Sequence, residues 1–215
     1  MTIRAEQKQR TRRALIDAAL GQISAERGFS NLTLREVARE AGIAPTSFYR
    51  HFSDLEELGL TLVDEAGQQL RNLMREARSR FGVDGGVVRA SVETFMEFLN
   101  ENSNFFYLLS RERAVGSEAF QRAIRREIGH FVDELTVDLE RESEARERKM
   151  TDTPLVAEAM VTLVFNEGLE ALSLPKMRRK QLTERIIRQL RMVALGAEAM
   201  ARREEERQAD RLVET

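Results

Sequence analysis

The residues best placed to do chemistry lie together at Pro45, Thr46, Ser47, Tyr49 and Arg50. Two hydroxyls, a phenol and a guanidinium crowd a segment too short and too polar to build a core. That set suits the presentation of donors to phosphates and base edges. Catalytic chemistry finds little to work with elsewhere. There is no cysteine, no glycine-rich phosphate loop and no HExxH motif. Glu56 and Glu57 are adjacent, so on a helix their carboxylates point apart. His130 stands among Ile128, Phe131 and Leu135 and reads as a structural histidine. The expectation is a protein that is not an enzyme and carries no metal or cofactor.

The elements around residues 45–50 have the form of a helix-turn-helix within TLREVAREAGIAPTSFYRHF (33–52). Thr33 and Glu36 have capping-box spacing. Leu34, Val37, Ala38 and Ala41 form an apolar stripe at helical period. Gly42 ends that helix, and Pro45 fits the first turn of the next. Phe48 and Phe52, one turn apart, should pack the short second helix onto the first. Ahead of the motif, Arg4, Lys8, Arg10, Arg12 and Arg13 form a basic arm. It is either a solvated terminus or an arm along phosphates or in a minor groove.

Net charge is only −2, which alone argues against a nucleic-acid binder, but its distribution does not. Residues 1–51 hold nine Lys/Arg against five Asp/Glu; the rest hold 25 against 31. A basic head on an acidic body would orient the chain on a polyanion. Hydrophobic residues are 42%, enough for a sizeable core. No apolar run approaches the roughly 18 residues that span a bilayer, so no membrane partner is expected. The N-terminus is polar and unlike a secretory signal, which points to the cytoplasm.

Strand-type alternation is absent over any useful length, so the chain reads as all-α, with helices expected at 10–27, 34–41, 45–51, 54–80, 85–101, 103–114, 117–146, 154–172 and 176–206. Ser53 and Glu56 suggest a second capping box. Leu55, Leu58, Leu62, Ala66, Leu70, Leu73 and Ala77 line one face of the long helix that follows. Gly82, Gly85 and Gly86 mark a loop, RESEARERK (141–149) a frayed end or exposed loop, and the residues after 206 a loose tail.

From Thr11 to Leu58 the chain resembles TetR-type repressors, in TRRALIDAALGQISAERGF, then LTLREVAREAGIAPTSFYRHF, then SDLEEL. Further strings (TFMEFL, LLSRERAVGSEAFQRAIRREIGHF, EAMVTLVF, QLRM) are similar to the FabR branch of that family. The resemblance implies a three-helix DNA-binding head, residues 1–53, on a helical ligand-binding and dimerisation body, residues 54–215, about nine helices in all. It implies a palindromic double-stranded operator, a homodimer and repression of unsaturated fatty-acid synthesis genes. The effector it implies is a long-chain acyl-CoA or acyl-carrier-protein thioester. The alternative is a regulator of an efflux or other metabolic operon answering a different hydrophobic molecule. Family counterparts of Tyr49 and His51 meet DNA backbone and base edges. The candidate DNA-contacting set is Arg4, Lys8, Arg12, Thr33, Arg35, Pro45, Thr46, Ser47, Tyr49, Arg50 and His51. One departure stands out: Leu55 replaces the lysine that many relatives carry three residues after the motif's Phe, which puts a phosphate contact there in doubt.

The middle of the chain is rich in phenylalanine. Most of it should be core, but the helices could enclose an apolar cleft. The resemblance implies that such a cleft takes an acyl chain, with Phe95, Phe98, Leu99, Phe106, Phe131 and Phe165 as candidate lining. Arg111, Arg113, Arg125 and Arg126 are candidates for its polar mouth. The last two helices carry broad apolar faces. Leu155, Val156, Ala159, Met160, Leu163, Val164 and Ala171 belong to one, and Leu182, Ile186, Leu190, Val193 and Ala197 to the other. Their excess over what closes the body would suit a two-fold four-helix interface. One helix-turn-helix binds weakly, so two heads about one DNA turn apart are needed. An all-α enzyme is the competing class, and a third is a DNA-compacting or scaffolding protein without a ligand. The last would bind every sequence alike, whereas a repressor prefers one palindrome.

Overall fold

A computed structural model describes residues 3–80 and 86–213. Among the described residues there are nine α-helices, one 3-10 turn at Phe29–Asn31 and no strand. The helices are α1 (Ile3–Gly21), α2 (Leu34–Glu40), α3 (Pro45–Phe48), α4 (Leu55–Arg80), α5 (Gly86–Glu101), α6 (Ser103–Val115), α7 (Glu118–Ala145), α8 (Thr153–Ala171) and α9 (Lys176–Val213). The all-α expectation is met. Gly82 and Gly85 lie outside the described residues, and Gly86 opens α5.

Packing divides the chain into two compact units, Met1–Leu70 with Leu99–Glu127, and Arg71–Phe98 with Ile128–Thr215. In the first, Leu15, Ile16 and Ala19 of α1 are buried with Val37 and Ala38 of α2 and Phe48 and Phe52. Phe29 meets Phe120 edge-on with ring centres 5.3 Å apart. A Cβ on Gly59 would fall 2.6 Å from the Phe29 ring and collide with Phe120, so only glycine lets α4 approach so closely. Asn104 Nδ2 donates to Leu20 O at 3.3 Å, tying α6 to α1.

In the second unit α8 and α9 run antiparallel. Arg185 of α9 pairs with Glu167 and Glu170 near the end of α8. Thr151, just before α8, donates its N–H to Ala197 O, far along α9. Val156, Ala157, Met160 and Ala171 are buried there with Leu182, Ile186, Ile187 and Leu190. Between α4 and α7 the seam is ionic. Glu134 faces Arg71, Arg75 and Arg78 at 3.6 Å each, and Asp138 takes Arg78 Nε at 2.5 Å. The same Arg71 guanidinium stands 5.9 Å from the Phe131 ring centre.

Four expectations are corrected. First, α1 spans Ile3–Gly21 rather than 10–27. Alanine, glutamate, glutamine, lysine and arginine fill residues 5–10, all strong helix formers, so the supposed arm is helical. At its other end Ser24 Oγ accepts from the N–H groups of Glu26 and Arg27, which turns the chain before residue 27. Second, α3 stops at Phe48, because residues 50 and 51 tighten to i→i+3 bonds on Ser47 O and Phe48 O. Third, the cap of α4 is Asp54, whose Oδ1 accepts from Glu57 N at 2.8 Å, while Glu57 reaches back to Ser53 N at 2.6 Å. Glu56 accepts from Ser117 Oγ instead. Fourth, α9 continues through Val213. Glu204 and Glu205 in its last turns are held by Thr151 Oγ1 and Lys149 Nζ. The reading of 141–149 holds better: α7 ends at Ala145, and Glu147 has a positive φ of 53°.

Candidate nucleic-acid interface

The local chemistry of the helix-turn-helix follows its sequence. Thr33 Oγ1 accepts from Glu36 N at 3.3 Å, and Glu36 Oε2 accepts from Thr33 N at 3.1 Å, completing the capping box. The Thr33 hydroxyl, then its N–H, hold the Glu36 carboxyl below the usual carboxylate range. Arg27 Nη2 adds a bond to Glu36 Oε2 at 2.9 Å. After α2, Gly42 takes a φ of 70°. Its N–H bonds Arg39 O, and Ile43 N–H bonds Ala38 O, a Schellman stop. Pro45 then occupies the first turn of α3, as expected.

Phe48 is fully buried and Phe52 nearly so, with ring centres 5.8 Å apart. These anchors leave their neighbours outside: Tyr49 is 65% exposed, and Pro45, Thr46 and Arg50 are exposed. Ser47 is half-buried. Arg35, on α2, is exposed, while the Thr33 hydroxyl is occupied by its cap.

On α1, Arg4, Lys8 and Arg12 stand at i, i+4 and i+8, so they share one stripe. Arg4 and Lys8 are exposed. Arg12 is turned inward. Its Nη1 donates to His51 O at 3.4 Å, its Nη2 to Thr61 Oγ1 at 3.3 Å, and its guanidinium lies 4.3 Å from the Phe52 ring centre. Sequence reasoning missed this role and missed Thr61 altogether, because the contact joins three elements distant in the chain. Arg13 pairs with Asp17 and Glu65 at 3.0 and 3.1 Å. His51 is half-buried and its Nδ1 is enclosed without a hydrogen-bond partner. Burial, then the fields of Lys8, Arg12 and Arg50, hold its pKa below the ordinary histidine value. The arrangement presents a phenol, a guanidinium and small hydroxyls on one helix end, beside a cationic ridge.

The family model described as Bacterial regulatory proteins, tetR family, matches residues 15–60, and that of Tetracyclin repressor-like, C-terminal domain, matches residues 85–194. The chain belongs to the TetR family. It is thus a TetR-family transcriptional regulator with an N-terminal helix-turn-helix. Solved structures share the fold at low identity. A tetR-family transcriptional regulator from Streptomyces coelicolor is 18% identical with a TM-score of 0.71, covering 99% of this chain and 90% of its own. A transcriptional regulator from Rhodococcus sp. Rha1 is 18% identical with a TM-score of 0.69, covering 89% and 97%. The fatty acid degradation regulator FadR from Bacillus halodurans is 17% identical with a TM-score of 0.66, covering 85% and 94%.

The candidate effector residues of this TetR-family protein fall into two groups. Leu99 and Phe106 are buried in the first unit; Phe95, Phe98, Phe131 and Phe165 belong to the second. Of the latter, Phe95 and Phe98 are core, whereas Phe131 and Phe165 are half-buried. The arginines named for a polar mouth are otherwise engaged or apart. Arg111 donates to Ala25 O, Arg126 pairs with Asp64 at 2.7 Å, and Arg125 is exposed. His130 is half-buried, one turn from Glu134 on the ionic seam. Among the described residues no cluster could hold a metal ion, and no helix is long and apolar enough to cross a membrane.

Proposed function

We propose that this TetR-family regulator binds a palindromic operator as a homodimer, answers to a long-chain acyl thioester, and represses genes of unsaturated fatty-acid synthesis. The DNA-reading surface is Tyr49, Arg50, Thr46, Ser47 and Arg35, with Arg4 and Lys8 on the neighbouring phosphates. The observation that carries this reading is the inversion around Phe48: the apolar residue is fully buried while the polar ones beside it are exposed. A helix end held this way meets DNA at little ordering cost.

The effector reading rests on the FabR-like strings and on two aromatic rings, Phe131 and Phe165, which folding leaves half-buried. An acyl chain lying on them would gain about 0.8 kcal/mol per CH₂ removed from water, so affinity should rise with chain length until the site is full. The ligand changes DNA binding only if it prefers one spacing of the two heads. The dimer reading rests on Leu155, Met192, Leu195 and Met200, large apolar residues left exposed on α8 and α9.

Calorimetry with acyl-CoAs of increasing length, alongside operator binding, tests the effector assignment. The expected result is affinity that climbs with length and an operator affinity that moves with it. A flat or absent response would leave the regulator standing and remove the acyl thioester, with another hydrophobic effector in its place.

A further inference from the structure

We propose that DNA binding by this head takes up a proton on His51. The inference rests on the reading that the helix-turn-helix end of α3 meets phosphate.

His51 closes the turn after α3, directly beyond the exposed Tyr49 and Arg50. Its carbonyl is held by Arg12 Nη1, which fixes the backbone at that point. Its Nδ1 faces inward with no hydrogen-bond partner, so a proton there has no acceptor in the free protein. The cations that act on the ring come from α1 (Lys8 and Arg12) and from its own turn (Arg50). Thr61 of α4 takes the other Arg12 nitrogen. The acids at the start of α4 are engaged by backbone N–H groups: Asp54 Oδ1 accepts from Glu57 N, and Glu57, which feels the Arg12 charge, accepts from Ser53 N. An imidazolium at this corner would be half-buried and would face three like charges. The ring is therefore neutral at pH 7 in the free protein, by burial first and by Lys8, Arg12 and Arg50 next.

Phosphate acts on the electrostatic part of that balance. A nearby phosphate supplies opposite charge and offsets the fields of Lys8, Arg12 and Arg50. The charged form of His51 then becomes favourable, and a proton is drawn from solvent as the complex forms. Linkage sets the size: full uptake of one proton strengthens binding up to about tenfold per pH unit for each head. Affinity should therefore rise as pH falls from 8 to 6.

The test uses the full chain and a duplex selected from a randomised pool. Calorimetry at pH 7 in phosphate and in Tris, whose ionisation heats differ, counts the protons taken up. NMR supplies a second readout, since the chain has two histidines and each imidazole Cε1–H can be followed. The expected result is net uptake by wild type that is lost in His51→Gln and His51→Asn. One imidazole should also titrate at higher pH with the duplex than without it. Equal uptake in wild type and both variants, or an imidazole titration unmoved by the duplex, would overturn the proposal. Failure to bind any selected duplex would instead remove the DNA reading on which it rests.

Discussion

Arg12 stands over the Phe52 ring, its guanidinium carbon 4.3 Å from the ring centre, and the same group bridges His51 O and Thr61 Oγ1. A residue that reads from sequence as one more charge in a basic arm is an internal brace. It joins α1, the turn after α3 and the first turns of α4.

Replacing Arg12 by Ala should therefore cost stability of about 1–2 kcal/mol, from one cation–π contact and two part-buried hydrogen bonds. It should also weaken DNA binding without changing the slope of log K against log salt. Thermal unfolding and a salt titration check both parts. A slope flattened by about one would make Arg12 a phosphate contact instead.

Gly59→Ala places a methyl group into the Phe29 and Phe120 rings. Overpacking of this kind costs about 1–3 kcal/mol, and the Tm should fall accordingly. An unchanged Tm would mean that the two rings can yield without cost.

Glu36 gives a pH signature of definite sign. Its folded pKa lies below the unfolded value of 4.5, first because of the Thr33 hydroxyl. The stabilisation is therefore complete above the unfolded pKa and is lost as pH falls through the folded one. The stability difference between wild type and Glu36→Gln should be constant from pH 6 to 8 and shrink below about 4.5. A difference that instead grows on acidification would contradict the capping geometry.

Dimerisation through α8 and α9 is tested at Leu195, which is 60% exposed in one chain and so carries little of its fold. Leu195→Glu should leave the Tm nearly unchanged but bury an unpaired charge at a two-fold interface. A penalty of about 3 kcal/mol would weaken the dimer more than a hundredfold. Sedimentation should then show wild-type dimers and variant monomers at micromolar concentration. A wild-type monomer at that concentration would sink the dimer proposal. Leu190 is no substitute, since it is buried within the single chain.

The helix-turn-helix was legible because its signals are local. Thr33 with Glu36, Gly42 and Pro45 each act within one or two turns of themselves, and each sits where its spacing required. The core role of Phe48 and Phe52 was legible for the same reason. What depends on distant partners was not. The inward turn of Arg12 needs Thr61, the helical tail needs Lys149 and Thr151, and the engagement of Arg111 needs Ala25. The phenylalanine-rich middle read as one apolar set. Packing assigns its members to two units, a division that no periodicity within a single helix carries.

The most direct measurement is the affinity of the full chain for a selected palindromic duplex and for its scrambled counterpart, with Arg50→Ala beside the wild type. The wild-type chain should prefer the palindrome by at least about a thousandfold. Arg50→Ala should lose about 1–3 kcal/mol on the palindrome. Equal affinity for both duplexes, unchanged by Arg50→Ala, would overturn the proposed operator binding.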